Sequence, residues 1–462
     1  MTARTRRLLH IFSAPLLVAA LLGACATPTT PVMTSAPPAA STEVVAAPTS
    51  APEVPLTQKY AGETIRILMY EQVPTYSTLD RLQEFEEATG IKVEYELLAE
   101  AEMVKKEMLD FSAHTGTYDV TNVHFWYVAQ FAKSGYLEPL DQYAVDISVP
   151  EWDSMSDFVP SYLDSQKYDG TLYGLPFQGI VQILYYRTDL IKEFCNDTSP
   201  ATMDELMACS KAITEGGGGE VFGYTDRGSA DASTFMNPAG WIYAWGVNFL
   251  DENYYPQLTT PEAIAAMKAY VTLLYNYGPK GQAGMGWAEA EQAILNGVAA
   301  MHADTHDLGP DMVSPERSQF PTEIGFAMPP KQVRYSQDFF ASGLSINADS
   351  KHKEAAWLFV QWATATATQM EQIAERSDFT VESILSSDEY QANVPGGSVI
   401  LEAAKVADPA YFPAIPEFGA LSDVFSAAVS QMVADGPDSV EAQMASANEQ
   451  ITKILADAGY YK

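Results

Sequence analysis

The chain has few cysteines, few basic residues and no second long apolar run. Only 3 cysteines occur in 462 residues, so at most one intrachain disulfide is available. Lysine and arginine number 26 against 60 acidic residues, and the formal net charge is −34. This shortage of positive charge excludes a nucleic-acid-binding surface, because little could neutralise the phosphates. A spanning helix needs about 20 apolar residues, so nothing beyond the N-terminal segment is predicted to cross a membrane.

The N-terminal segment has the pattern of an export signal. Arginines at positions 4, 6 and 7 precede a mostly apolar stretch over 8–22. That stretch is too short to span a bilayer comfortably, although a short uncleaved anchor is the alternative. The four residues 22–25, Leu-Gly-Ala-Cys, resemble the bacterial lipobox, in which the cysteine is acylated before cleavage. We therefore predict a signal peptide over 1–24 and a lipid on Cys25.

The segment after Cys25 is predicted to be a disordered tether. Residues 26–56 are mostly Pro, Thr, Ser, Ala and Val, with almost no charge and no aromatics. Such a composition buries too little apolar surface to offset the entropy of ordering, and its prolines keep it extended. We assign 25–57 to this tether and 58–462 to a folded body. A body of this length is large for one domain and normal for two.

The two remaining cysteines leave two interpretations open. Cys195 and Cys209 form an even remainder once Cys25 is assigned to lipidation. In an oxidising compartment an even remainder favours a disulfide. The alternative is two separate buried thiols on neighbouring helices, since sequence does not give the distance between the Cα atoms.

Short strands and helices alternate along the body. This pattern predicts an α/β fold with a mostly parallel sheet covered on both faces. Gly90 is predicted to end the first helix as its C′ residue. The predicted strands are 64–70, 91–95, 118–123, a strand-rich stretch over 173–186, and 341–346; the predicted helices are 76–89, 99–112, 261–277 and 355–363.

Polar and aromatic side chains follow several of these strands. Ligands of open α/β sheets lie beyond the carboxyl ends of the strands, so these positions are candidates for a binding site. They are Glu71, Gln72 and Tyr76 after the first strand, His124, Phe125 and Trp126 after the third, Asn237, Trp241 and Tyr243 in a later loop, and Asp304 and His306 further on.

An ordered set of stretches resembles the family 1 extracellular solute-binding proteins, the family of the maltose-binding protein. The set covers most of the body, and its order makes it more specific than any one stretch. The stretches are FEEATGIKVEYE (85–96), GTYDV (116–120), AKSGYLEPLD (132–141), GTLYGLPFQGIVQILYYRTDLI (170–191), WAEAEQAILNGVAAMHADT (287–305) and GLSINADSKHKEAAWLFVQWAT (343–364).

This resemblance implies a type II periplasmic-binding-protein fold, with two α/β lobes, hinge segments and a ligand cleft between the lobes. One lobe would hold 58–177 and 345–377, and the other 180–340 and 381–462. The resemblance further implies a monomeric receptor of an ABC importer, without enzymatic activity or cofactor. Its partners would be a sugar or sugar alcohol and the permease subunits. The lipid would hold it on the outer face of a bacterial cell membrane.

A sugar site needs carboxylates and amides for hydroxyl groups and aromatic rings for the C–H faces. From their place after strand ends and from position in the family, the predicted ligand contacts are Glu71, Gln72, His124, Trp126, Gln178, Gln182, Trp241, Asp304 and His306. Among these, Asp304 is the preferred carboxylate.

Some of these side chains have structural alternatives. Trp126 could pack in the core, and Trp241 could share one buried helix face with Trp245. Gln178 and Gln182 could instead hydrogen-bond to the backbone of the hinge. One position departs from the family, since Val381 stands where relatives commonly have an arginine. Few cations are apparent for the cleft, which weighs against a phosphorylated ligand.

Two alternative classes of function are an exported metal-binding receptor and a secreted glycoside hydrolase. His302, Asp304 and His306 alternate along a predicted strand and could bind a metal on one face, although structural sites usually need more ligands. A secreted glycoside hydrolase would use paired carboxylates, but an acidic chain contains many without such a role. No Gly-x-Ser-x-Gly or His-Glu-x-x-His motif occurs.

Overall fold

The computed structural model describes residues 55–376 and 378–461. The predicted signal peptide, Cys25 and nearly all of the predicted tether lie outside these residues. Within them the strands are β1 Thr64–Tyr70, β2 Lys92–Leu98, β3 Val120–His124, β4 Lys167–Tyr168, β5 Thr171–Leu172, β6 Gly174–Ile180, β7 Gln182–Arg187, β8 Met301–Thr305, β9 Ile324–Ala327 and β10 Phe340–Ile346.

The helices of the described residues surround these strands. None of them combines the length and the apolar character that a membrane crossing requires. They are α1 Val73–Leu79, α2 Leu82–Thr89, α3 Glu100–Ala113, α4 Phe125–Lys133, α5 Asp141–Asp146, α6 Pro160–Ser165, α7 Thr188–Phe194, α8 Met203–Gly216, α9 Met236–Ala244, α10 Pro261–Tyr277, α11 Trp287–Leu295, α12 Gly309–Met312, α13 Lys353–Thr364, α14 Thr366–Met370, α15 Glu382–Leu385, α16 Asp388–Asn393, α17 Gly397–Val406, α18 Phe418–Asp435 and α19 Val440–Asp457.

Two main sheets divide the strands. The first has the order β2-β1-β3-β10-β6, in which β1 pairs in parallel with β2 and β3, while β10 runs antiparallel to β3 and β6. The second has the order β8-β7-β9, and both of its pairings are antiparallel. The prediction of a mostly parallel sheet is therefore wrong, because two of the four pairings in the first sheet and both pairings in the second are antiparallel.

The chain passes between the two sheets more than once. Only Val181 separates β6 of the first sheet from β7 of the second. The chain returns to the first sheet between β9 and β10, and α13 then packs against β6 and β10. These crossings produce a two-lobed α/β fold, and they occur near the ends of the predicted lobes.

The predicted elements agree with the structure except for one helix. The stretch predicted as a single helix over 76–89 forms α1 and α2, which are separated at Asp80 and Arg81. The helix begins earlier than predicted because Pro74 suits its first turn, where no backbone N–H is needed. Gly90 has φ 70° and caps α2 in the left-handed conformation, as predicted.

The structure joins Cys195 and Cys209 in a disulfide. Their Cα atoms lie 5.4 Å apart, within the range of roughly 4.4–6.8 Å that the bond requires. Cys195 follows α7 and Cys209 lies in α8, so the bond fastens two consecutive helices. The interpretation with two separate thiols is thereby excluded.

Candidate ligand-binding cleft

A cavity of about 430 Å³ lies between residues of the two sheets. Its volume is within the range of roughly 300–1,000 Å³ that is usual for small-molecule sites. The lining combines aromatic, amide and charged side chains. It consists of Tyr70, Gln72, Glu100, Trp126, Gln178, Ile180, Arg227, Ser233, Met236, Trp287, Thr305, Asp307, Asp338 and Phe340.

The first wall of the cleft is formed where β1 and β6 end. The Tyr70 hydroxyl donates to Gln178 Oε1 at 2.7 Å, and Gln178 Nε2 donates to Asp378 Oδ2 at 2.5 Å. The amide of Gln178 is thus engaged at the crossing between the sheets. Gln72 differs, because both polar atoms of its amide are buried without a hydrogen-bond partner. Glu71 is exposed and does not line the cavity, although it follows β1 directly.

Trp126 presents its ring to the cavity from the first turn of α4. Phe340 contacts it edge-on, with ring centroids 5.2 Å apart. His124 was predicted to contact the ligand, but it is only 1% exposed and lies behind Trp126, with centroids 4.8 Å apart. Burial lowers the pKa of His124 to about 3, so the imidazole is neutral at physiological pH. Its role in the structure is to support the ring of Trp126.

Trp287 supplies a second indole from the opposite side. It is the first residue of α11, lines the cavity and is 38% exposed. Gly286 precedes it, and its backbone N–H donates to Glu289 Oε2 at 3.0 Å, which anchors the start of the helix. The stretch 287–305 carried the family resemblance, but Trp287 was not singled out as a ligand contact.

The second wall of the cleft, on the side of the second sheet, contains Arg227, whose guanidinium donates four hydrogen bonds. Its Nε donates to Asp304 Oδ2 at 3.0 Å, and its Nη2 donates to Asp304 Oδ1 and to Asp338 Oδ2, the latter at 2.8 Å. Its Nη1 donates to the Ser233 carbonyl at 2.9 Å. Among the described lining residues Arg227 is the single basic side chain. The cleft therefore has few cations among the described lining residues, as expected, and this one is paired with carboxyl groups.

Asp304 was the preferred cleft carboxylate, and this placement is wrong. Its side chain is fully buried, lies within β8 and does not line the cavity. His302 Nε2 is 3.2 Å from Asp304 Oδ2. Burial alone would raise the pKa of Asp304, but the Arg227 guanidinium and His302 hold it below its ordinary range. Asp304 therefore anchors Arg227 behind the cleft.

The carboxylate that lines the cavity in this region is Asp307, immediately after β8. Its Oδ1 is buried without a hydrogen-bond partner. Burial raises the pKa of Asp307 to about 6. The rule that ligands lie beyond strand ends points to this residue once β8 is seen to continue to Thr305.

Two other predicted contacts, Gln182 and His306, do not line the cavity. Gln182 donates to the Ala303 carbonyl at 3.3 Å and accepts from Ser336 Oγ at 2.7 Å, so its amide is used within the fold. The backbone N–H of Val181 donates to Nδ1 of the buried His306 at 3.1 Å.

Trp241 belongs to the main hydrophobic core. It is 1% exposed and lies on α9, where it stacks on Trp245 with centroids 5.6 Å apart and meets Tyr270 edge-on. The shared helix face explains this placement, because the two indoles lie one turn apart. Val381, the position expected to depart from the family's pattern, is also fully buried in the core.

The proposed metal triad does not form as predicted. His302 and Asp304 lie together in β8, but His306 lies beyond the strand in the following turn. Asp226 instead completes a buried group whose ligand atoms lie within 4.8 Å of one another. Because the Arg227 guanidinium occupies both oxygens of Asp304, a metal ion would have to displace it.

The comparison with known families decides the class of protein. The model of the bacterial extracellular solute-binding protein family matches residues 71–370. The chain belongs to this family. The resemblance of the ordered stretches is thereby confirmed, and this solute-binding protein comes from a family of receptors.

Relatives of this solute-binding protein bind sugar alcohols. The mannitol-binding protein of Pseudomonas aeruginosa is 27% identical over 404 residues, which cover 82% of this chain and 90% of that protein. The erythritol/L-threitol-binding protein of Mycolicibacterium smegmatis is 23% identical and covers 66% of this chain and 68% of its own length. A solved ABC transporter solute-binding protein from Agrobacterium vitis S4 with bound D-mannitol has a TM-score of 0.73 at 25% identity, covering 87% of this chain and 100% of that one. The predicted type II two-lobe fold is confirmed.

Proposed function

We propose that this solute-binding protein captures a sugar alcohol or a sugar outside the cell and delivers it to an ABC importer. The observation that carries the proposal is the unmet hydrogen-bonding capacity of two residues that line the cavity. Gln72 has a buried amide without a partner, and Asp307 has a buried oxygen without one. Buried polar groups are costly when unpaired, so a ligand that supplies partners gains affinity.

A hydroxyl group suits both residues. It can donate to Asp307 and can both donate to and accept from the amide of Gln72. Trp126, Trp287 and Phe340 offer apolar faces to the C–H groups of the same ligand. A polyhydroxy compound provides this combination of polar edge and apolar face. The name of the mannitol-binding relative, which is 27% identical and covers 82% of this chain, favours a sugar alcohol.

Delivery would depend on closure of the two lobes around the ligand. A ligand shifts an open–closed equilibrium only through its different affinity for the two states. Trp126 lies on α4 beside the first sheet, and Asp307 follows β8 of the second. A ligand that touches both in the closed state and one in the open state would supply that difference. The lobe boundaries for this motion are those predicted above.

The first experiment is a thermal-shift screen of the Cys25→Ser chain against D-mannitol, ribitol, erythritol, D-glucose and maltose. A ligand at about 100 times its Kd adds about 2.7 kcal/mol to the free energy of unfolding. Trp126→Ala should weaken binding of the responding ligand by about tenfold or more through lost stacking. Tyr95→Ala is the matched control, because Tyr95 is an exposed ring on β2 away from the cavity. If no polyol or sugar responds, the proposed ligand class is wrong.

Lipid anchoring at Cys25 belongs to the same proposal. The tether and the body would act as separate physical units, so Cys25→Ser should release the protein from the membrane without weakening ligand affinity. Membrane fractionation measures this release. A variant that still pellets with the membranes would contradict the lipobox interpretation. Recovery of the bound polyol chemically unchanged after long incubation would support a receptor without enzymatic activity.

A further inference from the structure

The charges that line the cavity are unbalanced towards the negative. Glu100, Asp307 and Asp338 are acidic, and among the described lining residues Arg227 alone is basic. His124, which lies 3.4 Å from Glu100 Oε1, is neutral because burial lowers its pKa to about 3. Burial raises the pKa of all three carboxyl groups, that of Asp338 well above its ordinary value, so Glu100 and Asp307 are the lining groups that carry negative charge at neutral pH.

Most N–H groups of the Arg227 guanidinium already donate to acceptors within the protein. Arg227 has five N–H groups, and Asp304, Asp338 and the Ser233 carbonyl accept from four of them. Asp304 binds it with both oxygens in the bidentate geometry that arginine favours. One N–H, on Nη1, is left by these bonds. Arg227 can thus serve as a hydrogen-bond donor to a ligand while offering little net positive charge.

Asp307 has no cation as a partner among the residues that the structure describes. Within the described part of the chain, no ion pair involves Asp307; its Oδ1 is buried without a hydrogen-bond partner, and its side-chain hydrogen bond is with Thr305. The carboxyl groups of Asp378 and Asp304 repel a negative charge on it. The second wall of the cleft consequently presents an uncompensated carboxyl group to the ligand.

The aromatic rings of the cavity also disfavour an anionic ligand. Trp126, Trp287 and Phe340 all line the cavity. The face of an indole or phenyl ring is electronegative and attracts cations. A ligand carboxylate or phosphate would lose its water at these surfaces and find no free cation in return.

From this arrangement, and on the basis of the proposed function, we infer that the cleft selects its ligand by charge. Asp307, on the same wall as an Arg227 that is already paired with Asp304, excludes anionic sugar derivatives and admits uncharged and amino sugar alcohols. Sugar acids and sugar phosphates are the excluded class. An amino group in place of a terminal hydroxyl is the tolerated change.

Three compounds with one carbon skeleton test this inference. D-mannitol, 1-amino-1-deoxy-D-mannitol and D-mannonate differ only at one terminus, which is neutral, cationic and anionic at neutral pH. Isothermal titration calorimetry on the Cys25→Ser chain should find the amine bound at least as tightly as mannitol. Mannonate should bind at least about tenfold more weakly, since like charges a few ångströms apart repel strongly near a protein surface.

The variant that isolates the cause is Asp307→Asn. It should reduce the ratio of the mannonate Kd to the mannitol Kd by about tenfold or more, because it removes the like charge. Asp423→Asn is the matched control, since it removes one exposed carboxylate on α18 and should leave the ratio unchanged. If Asp307→Asn does not fold, Glu100→Gln should lower the ratio in the same direction.

The outcomes separate the inference from the proposed function. Equal affinities for mannitol and mannonate, or a ratio that neither variant changes, would overturn selection by charge while leaving the receptor function intact. Mannonate bound more tightly than mannitol would overturn it more directly. If none of the three compounds binds, the inference and mannitol both fail, and the wider panel of sugars decides the proposed function.

Discussion

The two sheets each bury a carboxyl group, and they neutralise it in opposite ways. Glu107 lies on α3 behind the first sheet and is 1% exposed; Thr121 Oγ1 donates to its Oε1 at 2.6 Å. Its Oε2 has no hydrogen-bond partner. Asp304 lies in β8 of the second sheet, is fully buried and receives both bonds of the Arg227 fork.

This difference sets the sign of the pKa shift. Burial raises the pKa of Glu107 to about 8, because no cation compensates for lost water. Burial would raise the pKa of Asp304 as well, but the Arg227 guanidinium holds it below its ordinary range. Near the first sheet, Glu107 avoids the cost of a buried charge by keeping its proton. Near the second sheet, the Arg227 guanidinium compensates the charge of Asp304. Of the two, only the Arg227–Asp304 pair keeps charged groups next to the cleft.

The largest loss of stability is expected from breaking the buried ion pair between Arg227 and Asp304. Asp304→Ala should lower the free energy of unfolding by about 3–5 kcal/mol, because it leaves the buried Arg227 with only Asp338 as a charged partner. Urea unfolding measures the loss. Asp423→Ala removes an exposed carboxylate of the same kind and should change stability by less than about 0.5 kcal/mol. Equal stability of the two variants would contradict the anchoring role assigned to Asp304.

The unpaired carboxyl group near the first sheet predicts a pH dependence. The pKa of Glu107 is about 8 in the folded protein and near its ordinary value of 4.5 in the unfolded chain. Between these values the folded state binds more protons, so this group's contribution to stability falls as the pH rises towards about 8.

Glu107→Gln should remove that slope, because glutamine resembles the protonated acid but does not titrate. The stability of the variant relative to wild type should rise with pH, by at most about 1.4 kcal/mol per pH unit. Urea unfolding from pH 5 to 8.5 measures the difference. Glu102→Gln, an exposed position on the same helix, should show no such trend. Parallel curves for wild type and Glu107→Gln would mean that Glu107 is ionised in the folded state.

A smaller effect is expected from the one hydrogen bond that Glu107 receives. Thr121→Val removes the hydroxyl donor and should cost about 1 kcal/mol. Because that bond favours the ionised form, its loss should raise the pKa of Glu107 further and extend the pH-dependent range upwards. In the Glu107→Gln background the same substitution should leave the pH profile unchanged. A profile that moves in both backgrounds would assign the titration to another group.

Local patterns predicted much of the fold and part of the cleft. The boundaries of α10 match the predicted 261–277, where Thr260 caps the helix and Pro261 opens it. Gln72, Trp126 and Gln178 line one cavity, as residues near strand ends were predicted to do. These positions depend on periodicity, capping and strand ends, which are properties of neighbouring residues.

The missed residues depend on contacts between distant parts of the chain. Arg227 and Asp304 are 77 residues apart, and their pairing decided that Asp304 lies behind the cleft while Asp307 lines it. The shift of three residues follows from where β8 ends, which is set by its pairing with β7. Composition and motif order alone therefore determined the family and the two-lobed fold. The signs of the buried charges, and the carboxyl group that faces the ligand, required the tertiary packing, because desolvation and counter-charge arise only when remote segments meet.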